Sequence, residues 1–138
     1  MDFVNNTFDS NHATKSGAVL SSRNMRQRTN ILNLTKNTFI NNKCDQNGGV
    51  FSFILADYNM HLLNNTYRNN TAGFAGGVGY AFRASFMFFE EEGVYEGNSA
   101  GSRGGAWHLS LNTYQANLQS LKFSRTSFVS SFAQQSTI

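Results

Sequence analysis

Proline is absent from the 138 residues, cysteine occurs once, and only 14% of the residues are charged. The single cysteine, Cys44, excludes an intrachain disulfide, and a lone cysteine is more often a small buried apolar side chain than a reactive thiol. Long apolar runs are also missing, since none approaches the roughly 20 residues of a membrane-spanning helix. We therefore expect no direct insertion into a membrane. Residues 1–5 lack the basic and apolar regions of a secretory signal, which leaves a cytosolic protein or a piece of a longer precursor.

Charge of either sign is sparse, and the formal net charge is +3. The basic excess comes largely from Arg23, Arg26 and Arg28 in one short stretch. A nucleic-acid-binding protein usually shows a broader basic face and a recognisable module, and this sequence shows neither. We expect no nucleic-acid partner.

Asparagine, glycine and phenylalanine are abundant, with 18, 12 and 13 copies. Asparagine and glycine tolerate the left-handed backbone conformation of tight turns. This composition is typical of a chain with many turns around an aromatic core.

A motif recurs about every thirty residues along the chain, a period that indicates stacked repeats. Its aromatic residue is followed three positions later by a polar residue, usually asparagine. About ten positions after the aromatic comes a glycine with a small apolar residue behind it, and a second glycine precedes this one in three copies. The aromatics are Phe8, Phe39, Tyr67, Tyr95 and Phe128. The asparagines are Asn11, Asn42, Asn70 and Asn98, with Ser131 in the last copy, and the glycines are Gly17, Gly49, Gly77 and Gly105.

The residues before the aromatics largely alternate between apolar and polar, as Leu32 and Leu34 do around Asn33, and this period of two indicates strands. The aromatics are 31, 28, 28 and 33 residues apart. A repeat of this length with three short strands is typical of a right-handed parallel β-helix, whereas a leucine-rich repeat is shorter and a propeller blade longer. We predict an all-β fold: one β-helix segment over residues 1–138, with about four coils that begin near residues 5, 36, 64, 92 and 125.

Stacking gives each motif position a structural role, because equivalent residues of successive coils align in columns about 4.8 Å apart. The aromatics should form an internal stack and the asparagines a ladder of amides at one corner. The glycines should occupy a turn where a Cβ would clash or where φ must be positive. The motif begins near residue 5 and its last copy stops near Ile138, so we expect a fragment of a longer array, with flanking coils or other protein chains as partners.

The Phe-x-x-Asn signal of Phe8/Asn11 and Phe39/Asn42, together with the Gly-Gly pairs before Val50, Val78 and Ala106, resembles the repeats of chlamydial polymorphic outer-membrane proteins. Very large protist surface proteins with pectin-lyase-like β-helices carry similar repeats. The resemblance implies a passenger-like coil array of a surface adhesin. It implies an extracellular or cell-surface location.

Two functions follow as expectations. The first is a non-enzymatic structural or adhesive module, with possible glycosylation at Asn5, Asn33, Asn64 and Asn69, which begin Asn-x-Thr sequences. The alternative is a polysaccharide lyase or glycoside hydrolase, which needs clustered carboxylates. Its candidates are Asp9, Asp45, Asp57, Glu96 and the run of residues 90–92.

Within that run, Glu90 falls in a column that is otherwise apolar. Such a conflict sometimes marks a functional site, but we expect instead that the register shifts by one here, with Phe89 turned inward and the glutamates in a solvated loop.

Three further kinds of site are not expected. His12, His61 and His108 occupy different places in their coils, so the sequence predicts no metal site and no cofactor. An ice-binding array of Thr7, Thr38 and Thr66 is interrupted by the residues that follow in the column. Recognition should therefore lie in the variable segments: residues 23–28, 90–92 and 108–122.

Overall fold

The computed structural model describes residues 1–25, 30–111 and 120–133. These residues form parallel sheets and no helix, and they stack as a β-solenoid of about four turns. The predicted fold class is confirmed. Among the described residues no helix is long and apolar enough to cross a membrane.

The first four coils contain four strands each rather than the three predicted, with the long strand β12 counted in both the third and the fourth coil. The first coil comprises β1 (Asp2–Val4), β2 (Thr7–Asp9), β3 (His12–Ala13) and β4 (Leu20–Arg23). The second comprises β5 (Asn30–Thr35), β6 (Thr38–Ile40), β7 (Lys43–Cys44) and β8 (Phe51–Ile54). The third and fourth comprise β9 (Asp57–Leu63), β10 (Thr66–Arg68), β11 (Thr71–Ala72), β12 (Gly79–Glu91), β13 (Val94–Glu96), β14 (Ser99–Ala100) and β15 (Trp107–Leu111). The last described strands are β16 (Ser120–Ser124), β17 (Ser127–Val129) and β18 (Phe132–Ala133).

Equivalent strands of successive coils pair in parallel and in register, apart from one shift between Phe82 and Ala84 where β12 pairs with β15. One five-stranded sheet has the order β17-β13-β10-β6-β2, and a second has the order β18-β14-β11-β7-β3. The first and fourth strands of the coils form a third, eight-stranded sheet, because the long strand β12 supplies both positions in one continuous run. The strands of two residues were not predicted, because they are too short to show any alternation of apolar and polar residues.

Corners are set by residues in the left-handed region. The turn after the first strand of each coil contains one residue with φ between 48° and 57°: Asn5, Lys36, Asn64, Glu92 and Arg125. The turn after the second strand contains Ser10, Asn41, Asn69, Gly97 and Ser130, with φ between 52° and 63°. Asparagine and glycine adopt this conformation at little cost, and they occupy five of these ten positions.

The core lies between the sheets and is filled by the inward residue of every second position. Its most buried members are large and apolar: Leu32, Leu34, Met60, Leu62, Phe39, Phe51, Phe53, Tyr67, Tyr95 and Val50. Burying one such side chain stabilises the fold by about 1.5–3 kcal/mol. Cys44 is buried and unpaired, as the sequence indicated.

Candidate functional site

The repeated aromatics form one continuous internal stack. Ring centroids are 5.0 Å apart for Phe8 and Phe39, 5.1 Å for Phe39 and Tyr67, 4.5 Å for Tyr67 and Tyr95, and 4.6 Å for Tyr95 and Phe128. The planes of neighbouring rings differ by 5° to 17°. Offset stacking adds about 0.5–1.5 kcal/mol per pair to the burial of the rings. This column contributes shape and stability.

The repeated asparagines form the expected amide ladder. The Asn42 side-chain oxygen accepts from the backbone and side-chain amides of Asn11, at 3.1 and 2.9 Å. Asn70 repeats these contacts with Asn42, and Asn98 repeats them with Asn70. The Nδ2 atoms of Asn42, Asn70 and Asn98 also donate to the carbonyl oxygen of the aromatic one coil earlier, as Asn70 does to Phe39 at 2.9 Å. The ladder therefore satisfies backbone groups that would otherwise be buried without partners.

A second ladder, which sequence reasoning missed, lies at the preceding corner. The Asn37 side-chain oxygen accepts from the backbone amide of Asn6 at 2.9 Å, and Asn65 does the same for Asn37. The signal was present in the motif, because an asparagine stands two residues before the aromatic in the first three copies. This ladder stops at the fourth coil, where the equivalent position is Gly93.

The glycine column has to be corrected by one residue in the first coil. Ser16 pairs with Asn47, so Gly17 aligns with Gly48 and not with Gly49. Gly17, Gly48, Gly76 and Gly104 all have positive φ. The predicted Gly49, Gly77 and Gly105 have another role: a Cβ there would overlap the backbone of the next coil. The first glycine of each pair thus allows a turn, and the second allows the backbone of the next coil to approach closely.

The predicted register shift at Glu90 is wrong. Glu90 pairs with Leu62 on one side and Phe123 on the other, in register, and its side chain is fully buried. Phe89 faces outward, with the Lys122 ammonium 5.1 Å from its ring centroid. A carboxyl group therefore lies inside the core.

Around Glu90 lies the only buried cluster of titratable groups in the described part of the chain. The Tyr95 hydroxyl donates to Glu90 Oε2 at 2.5 Å, and Trp107 Nε1 donates to the Tyr95 hydroxyl at 3.1 Å. Glu90 Oε1 and the Tyr67 hydroxyl have no partner of good hydrogen-bond geometry among the described residues.

Burial raises the pKa of Glu90 to about 8, and the hydrogen bond from Tyr95 offsets only part of this effect. Burial, together with the Glu90 charge, raises the pKa of both Tyr67 and Tyr95. At neutral pH the cluster is therefore uncharged.

Gly93 explains how the core accommodates the carboxyl group. A Cβ at this position would overlap the Glu90 carboxylate, so the glutamate occupies the space in which the ladder asparagine would lie. Coil three has Leu62 and Asn65 at the two equivalent positions, and coil four has Glu90 and Gly93. The exchange is a local substitution of one buried polar group for another. Because Glu90 is fully buried, it has no access to a substrate in this structure.

The other carboxylates are dispersed. Arg125 binds Glu91 and contacts Glu92 at 3.0 Å, and Arg68 binds Glu96 at 2.8 Å. Asp45 accepts from His12 at 2.8 Å, and this hydrogen bond lowers the pKa of Asp45. Asp57 pairs with Ser85, as the sequence alignment of the coils predicted, and Asp9 accepts from Asn41.

His12, His61 and His108 lie on three different strands, β3, β9 and β15. His108 stacks on Tyr80 with ring centroids 5.6 Å apart, and burial lowers the pKa of His108. The described residues contain no group of three or more histidine, cysteine or acidic side chains placed to hold a metal ion.

The four candidate glycosylation sites differ in exposure. Asn5, Asn64 and Asn69 are exposed at corner positions with positive φ. Asn33 is partly buried within β5, and its amide donates to Asp2 at 2.5 Å. The three threonines Thr7, Thr38 and Thr66 align on an outer face, and the column continues with Val94 and Ser127.

Two of the three variable segments fall partly outside the described residues. Arg23 ends β4, whereas Arg26 and Arg28 lie outside them. The same holds for residues 112–119 of the segment from His108 to Lys122. Comparisons with protein-family models, with curated proteins and with solved structures found no match.

Proposed function

We propose that this chain is a non-enzymatic structural or adhesive β-helix module that acts at an extracellular or cell-surface location as part of a larger protein or assembly. One observation carries the proposal: the repeated side chains are used for coil-to-coil contacts. The aromatic stack and both asparagine ladders point into the core or into the corners. The repeat thus builds a rigid rod with a variable outer surface.

The surface location is supported by the short motifs that resemble surface adhesins and by the exposed positions of Asn5, Asn64 and Asn69. All three lie in the corner turns between strands. Other protein chains or flanking coils of the same chain are the partners that such a module requires, and glycans are a possible ligand class.

Labelling of cells tests the proposal directly. Antibodies raised against the purified chain should label intact cells of the source organism, and permeabilising the cells should add little signal. Removal of N-linked glycans should lower the apparent mass of the native protein if the exposed asparagines are modified. A signal seen only after permeabilisation would overturn the proposed location.

The enzymatic alternative has its own readout. Purified chain should release no reducing ends or unsaturated products from pectin-like polysaccharides. Turnover that disappears in Glu91→Gln or Glu92→Gln would replace the structural proposal with a carbohydrate-active one, provided that it persists in Asp2→Asn, which makes the same carboxylate-to-amide change outside the candidate set.

A further inference from the structure

The outer side of the fourth strands carries neighbouring aromatic rings. In β12, Ala81 faces the core, so Tyr80 and Phe82 on either side of it face outward. Their ring centroids are 6.4 Å apart and their planes differ by 5°. His108 is the partner of Tyr80 in β15, with ring centroids 5.6 Å apart and planes that differ by 12°. All three side chains are only partly buried. Because the rings point away from the core, a further coil stacked on either end would leave this face uncovered.

Two guanidinium groups flank these rings. Arg83 Cζ lies 5.3 Å from the centroid of the Phe82 ring, which is a cation–π contact. Arg103 lies beside the other two rings, because its charge acts on the pKa of both. Burial raises the pKa of Tyr80 and Arg103 offsets part of that rise, whereas burial lowers the pKa of His108 and Arg103 lowers it further. We call the surface formed by Tyr80, Phe82, His108, Arg83 and Arg103 the lateral platform.

Charge on this side of the molecule has one sign. The fourth strands and the turns before them occupy residues 14–25, 46–56, 73–84 and 101–111, all within the described part of the chain. These segments contain four lysine or arginine residues and no aspartate or glutamate. On the side formed by the second strands, by contrast, Arg68 binds Glu96. The lateral platform is therefore complementary to an anionic partner.

The backbone beneath the lateral platform is already paired. Strand β12 bonds to β8 on one side and to β15 on the other, so no extended peptide can add to it as a further strand. A partner has to bind through side chains, which here are aromatic rings and guanidinium groups. The C–H faces of sugar rings pack against aromatic rings, whose faces are electronegative, and arginine donates paired hydrogen bonds to carboxylate or sulfate groups. These features favour a glycan over a peptide.

We infer that the lateral platform binds an acidic glycan, with sugar rings against Tyr80, Phe82 and His108 and the acidic groups against Arg83 and Arg103. Hydrolysis of a glycosidic bond needs a pair of carboxylates, and this side of the described chain has none, so the site binds without cleaving. The inference rests on the proposed adhesive function and names the ligand class and the surface for it.

The chain itself supplies substitutions that test the lateral platform, because other coils carry small residues at the same positions. Tyr80→Ser copies Ser52, its partner in β8, and Arg103→Ala copies Ala75, its partner in the preceding coil. Each variant removes one part of the platform and should remain folded, which urea unfolding checks. If Tyr80→Ser does not fold, Phe82→Ser takes its place, because it copies Ser110 of β15.

Fluorescence polarisation of labelled oligosaccharides measures the binding. The acidic probes are dextran sulfate and polygalacturonate, and unmodified dextran is the neutral match for the first. At least one acidic probe should bind the original chain, and dextran should bind at least about tenfold more weakly. Tyr80→Ser and Arg103→Ala should each weaken binding of the acidic probe by about tenfold or more, because each removes a central contact.

Two controls make matched changes on other sides of the molecule. Phe89→Ser removes an outward ring from the other half of β12, and Arg68→Ala removes an exposed cation from β10. Each should change the affinity for the acidic probe by less than about twofold, because neither residue lies on the lateral platform.

Binding of neither acidic probe would overturn the inference, and so would equal binding of dextran. A loss in Arg103→Ala without a loss in Tyr80→Ser would show charge attraction without a sugar site, which also overturns it. Tighter binding of poly-glutamate or of a single-stranded oligonucleotide than of either acidic glycan would assign the platform to another class of partner. None of these outcomes bears on the cell-surface location, which the antibody experiment tests separately.

Discussion

At the scale of single residues, Glu90 is the position where the chain departs from its own repeat. A buried carboxyl group is tolerated because it is neutral and because Gly93 leaves room for it. Unpaired buried charge is strongly destabilising, so ionisation of Glu90 must weaken the folded state.

The first prediction concerns pH. Glu90 has a pKa of about 8 when folded against an ordinary value of 4.5, so between these values the folded chain holds a proton that the unfolded chain has lost. The free energy of unfolding should then fall by roughly 1 kcal/mol per pH unit as pH rises through this window. The stability that protonated Glu90 allows should be fully present only below the pKa of the unfolded chain. Urea unfolding between pH 5 and pH 9 would measure it.

Glu90→Gln provides the control for that prediction, because the amide stays neutral and can still accept from Tyr95. The difference in free energy of unfolding between the two proteins should change steadily with increasing pH, because only the original chain loses stability through Glu90. His108 has a lowered pKa and therefore contributes the opposite slope near its own titration, but it does so equally in both proteins. Parallel profiles for the two proteins would contradict a buried protonated Glu90.

A second prediction tests whether Glu90 and Gly93 depend on each other. Gly93→Asn alone should destabilise the fold by about 1–3 kcal/mol, because its Cβ would overlap the carboxylate. The double variant Glu90→Leu/Gly93→Asn copies the pair found in the coil before and should regain most of that loss. We expect a coupling free energy of about 2 kcal/mol in a double-mutant cycle by urea unfolding. Additive effects would show that the two positions are independent.

At the scale of elements, the asparagine ladder joins the coils through side chains, and its value depends on position. Asn70 is buried and bonds to Asn42, Phe39 and Asn98, whereas Asn11 is exposed at the first coil and its side chain bonds only to Asn42 among the described residues. Removing one partner of a buried hydrogen bond leaves the other unsatisfied, at a cost of about 1–3 kcal/mol for each group.

We therefore predict that Asn70→Ala lowers the free energy of unfolding by about 3 kcal/mol or more, and that Asn11→Ala lowers it by less than about 1 kcal/mol. The two substitutions remove the same atoms from the same column, so their difference measures the interior of the ladder. Urea unfolding at one pH is sufficient. Equal losses at the two positions would mean that the ladder does not act between coils.

The periodic features of these elements can be predicted from the sequence, and the others cannot. The aromatic column and the ladder of Asn42 and Asn70 recur in nearly every coil, so spacing alone identified them. The position of Gly17 was misjudged because the first copy has a single glycine, with Ala18 at the position of Gly49. Glu90 was misplaced for another reason: Tyr95 and Gly93, which accommodate it, lie in other columns, and no one-column comparison reveals that compensation.

At the scale of the whole molecule, the coils form a nearly one-dimensional stack in which each coil contacts only its neighbours. Stability in such an array is close to a sum of contributions from coils and from the interfaces between them. Central coils have two interfaces, and the outermost coils have one. The exposure of the stacked aromatics follows this order, since Tyr67 is fully buried and Phe128 is 50% exposed.

Local opening should therefore begin at the ends. In hydrogen exchange we expect the amides of β10 and β6 to be the most protected, with those of β2 and β17 exchanging at least about tenfold faster because opening them breaks one interface instead of two. Equal protection of β2, β6, β10 and β17 would contradict the additive stack.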